Sequence, residues 1–161
     1  MSTRSALALL AVLVLLLPSA LLAEKKPVQL SLFTPAQIFP ESDNIEFLRV
    51  NLIYGRNASA SGIDLGLINH TTGRGSVGIQ IGAVSFNDSE YTGWQYGFVN
   101  ATDGDFKGFQ WGVVNYARSA RGFQLAFVNY AETMYGLQIG IVNIIRQGGF
   151  LPVFPIVNWS L

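Results

Sequence analysis

Few residues in the sequence offer catalytic or ligating chemistry. His70 is the one histidine and there is no cysteine. Disulfides, thiolate metal sites, a cysteine nucleophile and a cysteine-borne lipid anchor are excluded on that ground. A zinc site draws on several His, Cys or carboxylate ligands, and one histidine beside a turn does not supply them. Close carboxylates occur as Asp88/Glu90 and Asp103/Asp105. A glycosidase holds its two carboxyls about 5–9.5 Å apart across a cleft, whereas both pairs here fall in polar sequence that reads as solvated turn. Asp103-Gly104-Asp105 offers oxygen ligands for Ca²⁺, but fewer than an EF-type loop provides. Gly73-Arg74-Gly75-Ser76-Val77-Gly78 fits G-x-G-x-x-G. The dinucleotide fingerprint, however, follows a strand and opens a helix, and here strand-like sequence follows it. No Gly-x-Ser-x-Gly elbow is present. The expectation is a non-enzymatic chain with no catalytic residues, no cofactor and no metal.

The chain is organised by a repeat. Gly108-Phe109-Gln110-Trp111-Gly112-Val113-Val114-Asn115 recurs with small changes in copies starting at residues 62, 78, 93, 108, 122 and 136, and in a worn copy from Leu151 to Asn158. The period is 14–16 residues, and such self-similarity decides the fold before any other signal. The repeat residues singled out are Gln80, Gln95, Gln110, Gln124 and Gln138, and Asn69, Asn100, Asn115, Asn129, Asn143 and Asn158. Departures are Asp64 in place of Gln, Ser85 in place of Asn and Ala126 in place of the second Gly.

Each copy begins as a strand, rich in aromatic and branched residues. Positions one, three and five carry Gly, Gln and Gly; positions two, four and six carry Phe109, Trp111 and Val113, or Trp94, Tyr96 and Phe98. Alternate side chains point to opposite faces, so one face is small and amide-bearing and the other bulky and apolar. After position six the phase slips, which reads as a bulge near Val113-Val114. Polar stretches of four to seven residues, such as Thr102 to Lys107, separate the copies. That is the length of a hairpin loop, too short for a helical crossover. Val28 to Phe33 and Phe47 to Tyr54 read as earlier strands, with a loop from Thr34 to Asn44.

The fold class is all-β: an antiparallel meander of about eight to nine repeat strands closing into a small outer-membrane-type barrel, aromatics in lipid and glutamines bonded to one another inside. The alternative is a β-solenoid with 14–16-residue coils that stack Gln on Gln and Asn on Asn. Against the solenoid stand the polarity of the second half of each copy and the number of aromatics that so small a coil would have to enclose. In a barrel interior Asp64 would pair with Arg49 or with another basic residue, a structural ion pair rather than a catalytic acid. The repeat Asn reads as a strand-end side chain that satisfies backbone groups.

Residues 1–23 read as a signal peptide: Arg4, an apolar run from Ser5 to Leu17, then Pro18 and the small residues Ala20 and Ala23. Residues 24–61 form an N-terminal strand-and-loop segment, and 62–161 the repeat region, with 24–161 one structural domain. Half of the chain is hydrophobic and 12% is charged, against roughly 25% in an ordinary soluble domain. Ten basic and ten acidic residues give no basic stripe for nucleic acid. Five Asn-x-Ser/Thr sequons occur, at Asn57, Asn69, Asn87, Asn100 and Asn158, and four of them follow from a repeat-type Asn or a polar turn meeting Ser or Thr.

Three stretches together resemble a known family: Leu48 to Asn57 running into Gly62-Ile63-Asp64-Leu65-Gly66-Leu67-Ile68-Asn69, the internal Gly-x-Gln-x-Gly-x-x-Asn copies, and Phe154-Pro155-Ile156-Val157-Asn158. They are similar to the surface-repeat proteins of spirochaetes and other diderm bacteria. The resemblance runs from about residue 28 to the C-terminus. It implies export and an outer-membrane or cell-surface address, with a periplasmic or secreted address as the alternative; outer-membrane lipid is the partner expected from the barrel reading. The resemblance implies no catalytic residues. The expected role is structural or loop-presenting; the alternative is a solenoid binding module for a polysaccharide or protein partner.

Overall fold

The computed structural model of the chain describes residues 24–161, so the signal-peptide reading of 1–23 lies outside the described residues. Ten strands follow one another: β1 (Lys25–Phe33), β2 (Ala36–Gln37), β3 (Asn44–Asn57), β4 (Ser59–Thr71), β5 (Ser76–Asn87), β6 (Tyr91–Tyr96), β7 (Val99–Trp111), β8 (Val114–Leu125), β9 (Val128–Gln147) and β10 (Val153–Ser160). From β3 to β9 every neighbouring pair is parallel and in repeat register. Gly93 stands beside Gly108, Gln95 beside Gln110 and Asn100 beside Asn115. One repeat is therefore one coil, and the chain is a β-solenoid of about eight turns.

This corrects the antiparallel barrel. The polar stretches read as hairpin loops are bends around which the chain continues: β7 runs through Thr102 to Lys107 without ending. The phase slip is also a bend, since β7 stops at Trp111 and β8 starts at Val114. It marks a corner of the coil rather than a bulge in a long barrel strand.

The objection that a coil cannot enclose its aromatics falls because the small face is the inside. Gln80, Gln95, Gln110, Gln124 and Gln138 are all buried, while Trp94, Tyr96 and Phe98 are 63%, 51% and 67% exposed. A second inward column (Thr71, Asn87, Thr102, Ala117 and Ala131) and a third (Ser76, Tyr91, Phe106, Ala120 and Met134) complete the interior. Among the described residues a buried hydrophobic cluster is built around Tyr91, Phe106, Met134 and Ile145. Burial pushes the Tyr91 phenol upward in pKa, with the charge of Asp64 adding to it.

The first-position glycines allow coils to close on one another. Gly108 has φ +136°, where L side chains are strained, and a Cβ there would fall inside the Gly93 carbonyl oxygen. Both ends of the solenoid are covered. At the N-terminal end β2 folds back on β1, and Gln29 exchanges two hydrogen bonds with the backbone of Phe39, Nε2 to O at 2.8 Å and N to Oε1 at 3.0 Å. At the other end β10 runs antiparallel along β9, with Pro155 in the strand and a shift of register between Phe154 and Ile156. Proline and irregular pairing blunt an edge that would otherwise template further strands.

Candidate functional site

Inside the solenoid, the amides form directional chains. Gln138 Nε2 donates to Gln124 Oε1, Gln124 to Gln110, Gln110 to Gln95 and Gln95 to Gln80, each at 2.7 Å. Gln80 Nε2 then donates to Asp64 Oδ2 at 2.8 Å. Every rung points the same way, so the chain needs an acceptor-only group at its end, and Asp64 is that group. Its charge is met on the next coil by Arg49, which donates through Nε at 2.8 Å and Nη2 at 2.6 Å. The Arg49–Asp64 pair expected from the sequence is thus present and fully buried, and it explains why the repeat departs from Gln at this coil.

The asparagines run the opposite way. Asn51 Nδ2 donates to Asn69 Oδ1, Asn100 to Asn115, Asn115 to Asn129 and Asn129 to Asn143. Asn69, Asn100 and Asn129 also donate to the backbone carbonyls of Ile81, Trp111 and Ile139, the backbone-satisfying role expected of them. Ser85 interrupts this chain: its Oγ and the Asn100 Oδ1 are buried without a hydrogen-bond partner. Asn158 stands beside Gln138 rather than in the Asn column, and donates to the Leu151 carbonyl at 2.8 Å. All of these amides belong to the frame. The sequon asparagines are at most 2% exposed, so glycosylation has no accessible side chain there.

One polar chain was not anticipated. Tyr54 Oη lies 2.8 Å from His70 Nδ1, and His70 Nε2 lies 2.9 Å from Asp88 Oδ1. The three sit one coil apart on the outside, with His70 packed against the rings of Tyr54 and Phe86. The signal was available in the spacings of 16 and 18 residues, close to one coil each. Chemically it is a hydrogen-bonded chain from an exposed carboxylate through the imidazole to a phenol. Among the described residues no three of His, Asp and Glu gather as metal ligands.

The largest exposed apolar surface among the described residues is the outside of the amide-bearing strands. Three outward columns run along it in parallel register. The first is Ser61, Val77, Thr92, Lys107, Arg121 and Tyr135. The second is Ile63, Ile79, Trp94, Phe109, Phe123 and Leu137, and the third is Leu65, Ile81, Tyr96, Trp111, Leu125 and Ile139. Neighbouring rings meet edge to face, Trp94 on Phe109 at 6.1 Å and Tyr96 on Trp111 at 5.2 Å. Phe98, Phe127 and Ile141 extend the apolar surface around the corner and are each more than half exposed.

Three shallow grooves cross this flank. The largest, about 680 Å³, is lined by Lys107, Arg121 and Tyr135 on one side, Trp94, Phe109 and Phe123 on the other, and Gly108, Gly122 and Gly136 between them. The carboxylates lie elsewhere. Glu90 and Asp105 line a separate polar groove that Lys107 and Arg121 also border. Asp103 pairs with Arg118 at 2.7 Å, and beside it Tyr116 has its pKa raised, by burial first and then by the charges of Asp103 and Glu132.

No protein-family model matches the chain, no curated protein matches it, and no solved structure matches it.

Proposed function

We propose that the chain is an exported, non-enzymatic surface-repeat protein that lies with its aromatic flank on a lipid surface of the cell envelope and presents its polar corners outward. The observation that carries this reading is the flank itself: two columns over six coils that are aromatic and branched, bordered by a third that carries Lys107 and Arg121, with no carboxylate in any of them. Monomeric soluble proteins rarely leave so continuous an apolar surface in water. Trp and Tyr mixed with aliphatic side chains suit the boundary between headgroups and acyl chains. An outer-membrane address fits this reading and the resemblance to diderm surface-repeat proteins. The lipid contact would be peripheral, since the amide interior is filled and leaves no lumen.

The test is flotation of the 24–161 chain with liposomes, in parallel with a variant carrying Trp94→Ser, Trp111→Ser and Phe123→Ser. The native chain is expected to float and the variant to remain at the bottom. A native chain that stays at the bottom would overturn the reading. The alternative, a module that holds a linear polysaccharide, is favoured by the regular spacing of the second column, whose rings could each take one sugar face. Retardation in a polysaccharide-containing gel without any liposome binding would favour it.

A further inference from the structure

We infer that the glycine-lined groove beside Lys107 and Arg121 selects anionic phospholipid headgroups. The inference deepens the lipid-surface reading and rests on it.

Lys107 and Arg121 occupy one column on successive coils, so their backbones stand about 4.8 Å apart, one strand spacing. Both are exposed, and neither has an ion-pair partner among the described residues, whereas Lys25, Lys26, Arg49, Arg56 and Arg118 each have one. They form the rim of the apolar flank and are its only charges between Ser61 and Ile139 in the three columns. Across the glycines from them stand Phe109 and Phe123. A phosphate at the two cations would leave its acyl chains directed over the aromatic columns, with the side-chain-free glycines between. An amphiphile with a negative head matches this arrangement end for end.

A second copy of the chain matches it less well. A two-fold contact sets the same surface against itself, and the three columns contain no carboxylate to receive Lys107 and Arg121. Glu90 and Asp105 line the polar groove on the other side of Lys107 and Arg121, and neither pairs with them within ion-pair distance. An anionic bilayer supplies the missing charge, and each cation near such a surface contributes a factor of about five in affinity, about thirtyfold for the pair.

The experiment measures partition of the 24–161 chain into two kinds of vesicle. One is pure phosphatidylcholine; the other is equal parts of phosphatidylcholine and phosphatidylglycerol. Three proteins are compared: the native chain, Lys107→Gln/Arg121→Gln, and Arg74→Gln/Arg146→Gln. The last removes two exposed cations that line none of the three grooves of the flank. The native chain is expected to prefer the anionic vesicles by about thirtyfold, with the preference lost at about 1 M salt. Lys107→Gln/Arg121→Gln should lose most of the preference for the anionic vesicles, while Arg74→Gln/Arg146→Gln should keep both that preference and native binding to pure phosphatidylcholine. Equal native binding to both vesicles, or equal loss in the two variants, would overturn the inference and leave the lipid-surface reading standing. No native binding to either vesicle would overturn both.

Discussion

At the residue scale the interior is a set of polar groups that are tolerable because most of them find a neighbour one coil away. Ser85 is the weak rung. Its hydroxyl does not reach the Asn100 Oδ1, and both are buried without partners. Ser85→Asn would supply an Nδ2 in the direction that the other asparagines already use, so it is expected to stabilise the chain by about 1 kcal/mol, read as a higher denaturant midpoint. Asp64 behaves differently, because it both ends the glutamine chain and neutralises Arg49. Asp64→Asn leaves a buried guanidinium unpaired and should cost about 3–5 kcal/mol. Arg49→Gln with Asp64→Gln would extend the amide chain through both coils and is expected to recover most of that loss. A double variant as unstable as the single one would show that the ion pair is needed for more than charge balance. The pair itself was legible in the sequence, because Asp64 replaces Gln at an inward position one period after Arg49. The Tyr54–His70–Asp88 chain was equally one coil apart, but a lone histidine invites no search for partners a full period away.

At the element scale the repeat glycine decides whether coils can stack. Gly108→Ala would force an L side chain into φ +136° and against the Gly93 carbonyl. It is expected to destabilise by about 2–4 kcal/mol, measured by chemical denaturation; an unchanged midpoint would mean that the coils are not packed through this position. The strands and their inward and outward faces could be read from the sequence, since alternation is the same in parallel and antiparallel sheets. Their direction could not. Stretches such as Thr102 to Lys107 have the length and composition of hairpin loops, and nothing local distinguishes a loop that reverses the chain from a bend that continues it. The one-strand period was the better guide: a coil repeats every strand, whereas a meander comes back to the same orientation only every second strand.

At the scale of the whole molecule, the usual relation of polarity to burial is inverted. Amide ladders along the axis and small residues fill most of the inside beside the Tyr91–Phe106 cluster, and the aromatics of the repeat strands are left on the surface. That inversion is why the number of aromatics argued against a solenoid when the interior was assumed to be apolar, and why the flank now has to be explained by what it touches. The absence of cysteine makes the most direct test simple. Single cysteines are placed at Trp94, Gln95 and Tyr96 (W94C, Q95C and Y96C), and thiol reactivity is followed in detergent-free buffer and again with phosphatidylcholine vesicles. Cysteines at 94 and 96 are expected to react in buffer and become protected on the vesicles, with the cysteine at 95 unreactive throughout. Cysteines at 94 and 96 that stay reactive when vesicles are added would contradict the lipid-docked aromatic flank.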